Sequence, residues 1–301
     1  MSGTAWHPRE GRGVVPLRPL SVAEILDAPF AAMRRYPAPM IGVGAIVATI
    51  VGGGSLAWRL SLHDWALEHF NVDGAATIGL ALSVAAILVV LVAAGWQTAL
   101  TADAMIGRES SAAQVWDAVR PRIWTLILAA GVAVLPAAIF IGFLILAAWI
   151  GAVGGVLAVL FALPAIWLAI VGQFLGPIVV MEGVGIRAAV PRAFSLLRGS
   201  WWRCFWMLWL SSFTGTLVGL GVLLPFEAGT VGFLTGGVIS GDSVIVRTVL
   251  PAIAVILVYA IVLPFIASVV AVLYLDVRIR TEAFDLTVTG AIPTATPTTG
   301  R

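Results

Sequence analysis

Ser21-Val-Ala-Glu-Ile-Leu-Asp-Ala28 occurs again later in the chain as a second, similar copy, Ser111-Ala-Ala-Gln-Val-Trp-Asp-Ala118. A serine followed three residues later by Glu or Gln forms a capping box, in which each side chain satisfies a backbone N–H at a helix start. Each copy therefore predicts a short helix, and each precedes a long apolar run. A weaker third copy, Arg187-Ala-Ala-Val-Pro-Arg-Ala193, predicts a third helix of this kind.

The composition indicates that lipid is the solvent for most of the chain. Its 301 residues are 60% hydrophobic and only 11% charged, whereas a soluble protein carries about 25% charged residues. All 17 basic residues are arginine, which is typical of GC-rich coding and indicates a bacterial source. The single cysteine, Cys204, excludes an intramolecular disulfide and is interpreted as a small packing residue.

Long apolar runs predict six membrane-spanning helices. Residues 123–181 carry no charged side chain. This segment is too long for one crossing of about 20 residues. It must hold two spans, and the turn is expected at the glycine-rich segment 151–155. The six predicted spans are 40–58, 76–102, 124–149, 157–181, one that ends near Pro225, and 250–275.

The predicted fold class is all-α: a polytopic membrane helical bundle of six transmembrane helices. The repeated helix starts divide it into three units, each a surface helix followed by a helical hairpin, at about 19–107, 108–183 and 184–286. Together they form one membrane domain, 19–286. Residues 1–18 and 287–301 are predicted to be disordered tails, and 59–73 and 226–245 to be loops on the other side of the membrane.

Three amphipathic surface helices are expected to lie in the membrane interface, at 21–35, 111–120 and 184–199. The apolar face of the first is predicted to hold Val22, Ile25, Leu26, Phe30 and Met33. In the other two helices, Val115 and Phe194 are expected to contact lipid, and Gln114 and Arg187 to contact water.

The arginines fix the predicted orientation. With six spans, fifteen arginines fall on one side and only Arg59 and Arg247 on the other. Because positively charged loops stay inside the cell, both termini are predicted to be cytoplasmic in the bacterial plasma membrane. The fifteen are Arg9, Arg12, Arg18, Arg34, Arg35, Arg108, Arg120, Arg122, Arg187, Arg192, Arg198, Arg203, Arg278, Arg280 and Arg301.

The end of the last span, Tyr274-Leu-Asp-Val-Arg-Ile-Arg-Thr-Glu-Ala-Phe-Asp-Leu286, resembles the ending of the glycerophosphoryl diester phosphodiesterase membrane-domain family of bacterial proteins. That family typically ends in Tyr-x-Asp-x-Arg-Ile-Arg-x-Glu-Gly-x-Asp, and here Ala283 stands in place of the glycine. The segments Leu17–Asp27 and Glu182–Trp201 resemble its start and its centre. The resemblance implies an all-helical domain of the stand-alone type, without the catalytic domain.

No catalytic pattern stands out. The nearest to a metal cluster is His63-Asp64 with Glu68-His69, which is interpreted as a solvated loop because the two histidines do not share a helix face. The carboxylates and histidines that a metal-dependent phosphodiesterase needs are missing. We therefore expect no enzymatic activity, no cofactor and no nucleic-acid partner.

Two kinds of polar residue are candidates for function. Gln97 and Gln173 lie within spans, where they either join helices by hydrogen bonds or line a polar path. Asp103, Glu182 and Asp276 mark the inner ends of the second helix of each unit, where an acid opposes the helix dipole. They are predicted either to pair with arginines of the surface helices or to be simple solvated termini.

The favoured hypothesis is a non-enzymatic membrane module that binds anionic lipid headgroups or a partner protein. The alternative is a small transporter or lipid-translocating protein, which a wide polar cavity between spans two, four and six would favour. Asp276 and Arg280 have the spacing of an ion pair on one helix. The candidate contacts on the cytoplasmic face are Asp103, Glu182, Arg187, Arg198, Asp276, Arg278 and Arg280.

Overall fold

Every element of the described residues is helical. The computed structural model describes residues 20–58, 63–69, 72–105, 112–224 and 249–282. The helices, in chain order, are α1 (Val22–Arg35), α2 (Pro37–Ala57), α3 (His63–His69), α4 (Val72–Met105), α5 (Ala112–Val119), α6 (Ile123–Ile150), α7 (Ala152–Gln173), α8 (Leu175–Glu182), α9 (Ile186–Leu197), α10 (Trp201–Leu223) and α11 (Leu250–Glu282).

Six stretches are long and apolar enough to cross a membrane: α2, α4, α6, α7 together with α8, α10 and α11. This is the pattern of a multi-pass membrane protein. Short helices α1, α5 and α9 precede α2, α6 and α10, and Gly151, with a φ of +65°, turns the chain between α6 and α7. The two tails, Ser111 and the segment 226–245 lie outside the described residues.

α11 is the centre of the bundle. Residues 267–277 are all buried, and a helix that is buried on every face belongs inside a bundle. α11 packs against α1, α2, α4 and α10. Tyr274 lies in its fully buried stretch.

Small residues let α2 approach α11 closely. A methyl group on Gly44 would lie 2.8 Å from the carbonyl oxygen of Ala260, and one on Gly52 would lie 2.6 Å from Cγ1 of Ile256. Pro264 has no N–H, so it leaves the Ala260 carbonyl without its helical donor. Gly44 therefore brings α2 directly against this freed carbonyl, a close approach that small residues permit between membrane helices.

The structure confirms the first capping box and shows which residues of α1 face the bundle. Ser21 and Glu24 exchange the predicted hydrogen bonds at the start of α1. The buried face of α1 holds Ile25, Ala28, Pro29 and Ala32. By contrast, Val22 and Phe30 are each 46% exposed, so the predicted apolar face is only partly buried against the bundle.

Three further expectations differ from the structure. Val115 is buried in the protein core rather than exposed to lipid, because α5 packs against α4. The predicted loop 59–73 contains the helix α3, in which Nδ1 of His69 lies 2.9 Å from the carbonyl oxygen of Trp65. The fourth span is interrupted at Phe174, whose N–H donates to Val171 rather than one residue further back.

Because the long helices alternate in direction, the starts of α2, α6 and α10 and the ends of α4, α8 and α11 come together. All ten arginines of the described residues lie at this end, which we call the arginine end. They are Arg34, Arg35, Arg120, Arg122, Arg187, Arg192, Arg198, Arg203, Arg278 and Arg280.

Candidate functional site at the arginine end

Asp276 anchors the first of two polar clusters at the arginine end. It is fully buried, one turn before the end of the apolar part of α11. Arg203 donates from Nε to Oδ2 at 3.1 Å, and Arg280 donates from Nε to both carboxylate oxygens at 3.0 and 3.1 Å. Two guanidinium groups therefore compensate one buried carboxylate, as a buried charge requires.

The same three side chains hold the peptide backbone that precedes α1. Leu20 N–H donates to Oδ1 of Asp276 at 2.8 Å. The Leu20 carbonyl accepts from Nη2 of Arg203 at 2.8 Å and from Nη2 of Arg280 at 2.9 Å. Both polar groups of one buried residue are thus satisfied by side chains, and the start of α1 is fixed against α10 and α11.

Glu182, at the end of α8, anchors the second cluster. Arg192 of the surface helix α9 donates from Nε to both Glu182 oxygens at 3.0 and 3.1 Å. Tyr274 donates its hydroxyl to Oε1 of Glu182 at 2.7 Å. The predicted pairing of this acid with an arginine of a surface helix is therefore present.

Glu282 extends the second cluster to the end of α11. It pairs with Arg192, and it accepts from Nε of Arg278 at 3.2 Å. The Arg278 guanidinium also lies 5.7 Å from the centre of the Tyr274 ring. Hydrogen bonding to Glu282, opposed by partial burial and reinforced by Glu182, raises the pKa of Arg192 above its usual value. This network joins α8, α9 and α11 through fixed charges.

Arg122 joins the two halves of the second hairpin. Its Nη1 donates to the Val180 carbonyl at 2.8 Å. Gly183, which ends α8 with a φ of +70°, leaves room for the same guanidinium, because a methyl group there would lie 2.8 Å from Nη2 of Arg122. The start of α6 and the end of α8 are therefore held together.

The remaining candidate contacts occupy different surroundings. Arg187 and Arg198 are exposed on and after α9, and neither forms an ion pair with a described residue. Asp103 is half-buried near the end of α4. The three acids predicted at helix ends thus lie at one end of the bundle, but Glu182 and Asp276 anchor separate clusters with different arginines.

The two glutamines within the spans have different roles. Gln97 is fully buried and donates from Nε2 to the Met40 carbonyl at 2.8 Å, so it joins α4 to α2. Its neighbour Thr101 lies 2.9 Å from the Ser268 hydroxyl of α11. Gln173 does not join helices in this way: it is exposed and makes no hydrogen bond with a described residue.

Gln173 lines a cleft of about 190 Å³ among α4, α6, α7, α8 and α11, which we call the mid-span cleft. Apart from Gln173 and Thr98, its walls are small and aliphatic residues, including Gly95, Leu126, Ala130 and Gly176. Thr98 donates its hydroxyl to the Gly95 carbonyl at 2.6 Å. The cleft is much narrower and less polar than the cavity that the transporter hypothesis envisaged.

Within the described ranges, no three His, Cys, Asp or Glu side chains are grouped so that they could hold a metal ion. Cys204 is a free thiol with no exposed surface, as expected for a packing residue. Asp276, Glu182 and Glu282 are each paired with arginines of the site.

The sequence predicted the acids but missed most of their partners. Arg203 and Leu20 bind Asp276 from positions 73 and 256 residues away in the chain. The sequence contains one usable signal for Arg203, a lone basic residue within an apolar helix, because such a charge needs a partner. Nothing in the sequence marks the Leu20 backbone.

Comparison with known proteins gives no relative: neither a protein-family model, nor a curated protein, nor a solved structure matches this chain.

Proposed function

We propose that this chain is a non-enzymatic, multi-pass module of the bacterial plasma membrane that binds anionic lipid headgroups at its arginine end. The observation that carries the proposal is the pairing and exposure of the arginines at this end. Some are tied to buried acids, while others are exposed on the surface and face no acid among the described residues. In this proposal, the arginine end and both termini lie in the cytoplasm.

The exposed arginines are the proposed headgroup contacts. Arg34, Arg120, Arg187 and Arg198 belong to or adjoin the short helices α1, α5 and α9. A basic side chain near an anionic membrane surface contributes about 1 kcal/mol of attraction. Four such side chains around one end of the bundle give a surface that favours anionic over zwitterionic lipid.

Exposed tryptophans lie at the same level. Trp124 is 76% exposed near the start of α6, Trp202 is 67% exposed at the start of α10, and Trp116 is 47% exposed on α5. Tryptophan is enriched where membrane meets water, because its ring is apolar and its N–H is polar. These side chains support a membrane interface at the arginine end.

Arg278 and Arg280 take an architectural role in this proposal rather than the headgroup role first considered. Their side chains are 19% and 34% exposed and are bonded to Glu282 and Asp276. In this proposal, the residues of this motif that resemble the glycerophosphoryl diester phosphodiesterase membrane-domain family hold the end of the last span in place. The three-unit repeat is also retained as a proposal, supported by the order of short and long helices.

Lipid binding is tested with the double variant Arg187→Gln plus Arg198→Gln. A fluorescent phosphatidylglycerol is titrated into the purified protein in neutral detergent. Loss of two surface charges is expected to cost about 2 kcal/mol, which is roughly a 30-fold loss of affinity. The charge-matched control is Arg59→Gln plus Arg247→Gln, from the loops on the other side of the predicted spans.

Two outcomes contradict the proposal. If the Arg187 and Arg198 double variant keeps wild-type affinity, these arginines do not bind headgroups and a partner protein becomes the better occupant. If the control variant loses as much affinity, the effect comes from net charge and not from the arginine end.

The alternative, a protein that moves a lipid across the membrane, is favoured by one observation. The fourth span is interrupted beside the mid-span cleft, and broken helices at mid-depth form the binding sites of many transporters.

A further inference from the structure

The mid-span cleft coincides with the interruption of the fourth span. Pro177 has no N–H, so the Gln173 carbonyl lacks the donor that a continuous helix would supply. An unsatisfied backbone group facing lipid costs several kcal/mol, and irregular backbone is tolerated in a membrane where it lies within protein or lines a cavity. Gln173 is one of the residues that line the cleft.

The Gln173 side chain adds a second polar group at the same point. It is exposed and has no hydrogen-bond partner among the described residues. Residue 173 lies nine positions before Glu182, which at 1.5 Å per residue is ~14 Å from the arginine end. This depth is close to the middle of a hydrocarbon core of ~30 Å. An amide here favours a bound partner with a hydrogen-bonding oxygen.

The rest of the cleft suits hydrocarbon. An apolar cavity of roughly 150 Å³ holds a molecule of the size of benzene, so about 190 Å³ holds a segment of one chain and not two. The lining runs from Leu126, one turn below Arg122, to Leu91 and Leu263, which lie further from the arginine end. A space of this volume fits a segment of a single chain.

The cleft opens at Gln173, which is one of its lining residues and is exposed. Towards the arginine end, α4 and α6 meet so closely that a methyl group on Gly95 would lie 2.9 Å from Cδ2 of Leu126. In the opposite halves of the helices, large apolar side chains are exposed, among them Leu80 at 52% on α4, Leu144 at 49% on α6 and Leu160 at 67% on α7. These side chains form an apolar surface outside the cleft.

We propose that the mid-span cleft binds a single-chain amphiphile, a fatty acid or a long-chain alcohol, with its polar oxygen at Gln173 and its chain along the apolar wall. The site requires that the chain spans a membrane, but it does not depend on headgroup binding at the arginine end. It gives the protein a means of holding the polar end of a lipid at mid-membrane, which headgroup binding alone does not provide.

The test uses a photoactivatable long-chain alcohol and its matched hydrocarbon without the hydroxyl, both incubated with the full chain in nanodiscs. Cross-linked peptides are identified by mass spectrometry. The expected products lie within residues 126–133 and 172–177. Excess unlabelled alcohol or fatty acid should remove them, which tests the site in the wild-type protein without any substitution.

Two variants separate the parts of the site. Ala130→Phe fills the cleft and should abolish cross-linking by both probes, whereas Ala138→Phe, on an exposed position of the same helix, should not. Gln173→Leu should lower cross-linking by the alcohol about three- to tenfold, the effect of one hydrogen bond, and leave the hydrocarbon probe unchanged.

Three results would overturn the proposal. Products that excess alcohol and fatty acid do not remove would show non-specific lipid contact. Equal cross-linking in Ala130→Phe and Ala138→Phe would place the probe outside the cleft. An equal effect of Gln173→Leu on both probes would show that Gln173 does not contact the hydroxyl group of the alcohol. Phosphatidylglycerol binding is measured on the same samples, so failure of the cleft site and failure of headgroup binding are distinguishable.

Discussion

At the scale of single residues, Asp276 is a fully buried acid that connects three segments of the chain. It joins α11 to α10 through Arg203 and to the start of α1 through the Leu20 N–H. Removing one partner of a buried ion pair leaves an uncompensated charge, which costs 3–5 kcal/mol when the pair is fully buried. Here both arginines are about one-third exposed, so water screens part of that cost.

We predict that Asp276→Asn lowers the free energy of unfolding by about 1–3 kcal/mol. The amide keeps an oxygen for the Leu20 N–H, but its NH₂ group faces two guanidinium donors. Thermal unfolding in detergent measures the change. The matched control is Asp27→Asn, an exposed acid on α1, for which a change within about 0.5 kcal/mol is expected. Equal effects of the two substitutions would show that burial of Asp276 does not matter.

The sequence predicted only the local part of this cluster. The pair Asp276 and Arg280 follows from helix spacing, and the structure confirms it at 3.0 Å. The contacts with Arg203 and with Leu20 depend on how three distant segments pack, so no local pattern announces them. Similarly, hydropathy placed Gln97 and Gln173 inside spans, but only packing distinguishes the buried one from the one that lines the cleft.

At the scale of elements, the six long helices were predictable because apolar length is a strong signal. It was harder to predict which face of each short helix packs against the protein. Val115 and Val22 both belong to apolar positions of short helices, yet the first is 2% and the second 46% exposed. An apolar residue of a surface helix can face either lipid or protein, and hydrophobicity does not separate these two environments.

The packing of α2 on α11 gives a prediction at this scale. Gly44→Ala should destabilise the protein by about 1–3 kcal/mol, because the added methyl group meets the Ala260 backbone and overpacks the contact. Gly42→Ala, on the same helix with open space around the added methyl group, should be neutral or stabilising because alanine favours a helix over glycine. Thermal unfolding in detergent measures the stability of both variants. If both substitutions destabilise the protein, or both stabilise it, the packing described is contradicted.

At the scale of the whole molecule, charge and packing agree on one asymmetry. The described arginines lie at one end, where the two polar clusters hold the helix ends together. The opposite halves of α4, α6 and α7 expose large apolar side chains. A membrane protein with this distribution is expected to keep its arginine end in the cytoplasm. Headgroup binding at the cytoplasmic face therefore depends on this orientation.

The most direct test is cysteine labelling in intact bacterial cells. The background variant Cys204→Ala removes the only cysteine, and single cysteines are then placed at exposed positions as Ala188→Cys on α9 or Leu67→Cys on α3. A membrane-impermeant maleimide should label Leu67→Cys in intact cells and Ala188→Cys only after lysis. Labelling of Ala188→Cys from outside, with protection of Leu67→Cys, would contradict the proposed orientation and with it the cytoplasmic lipid-binding face.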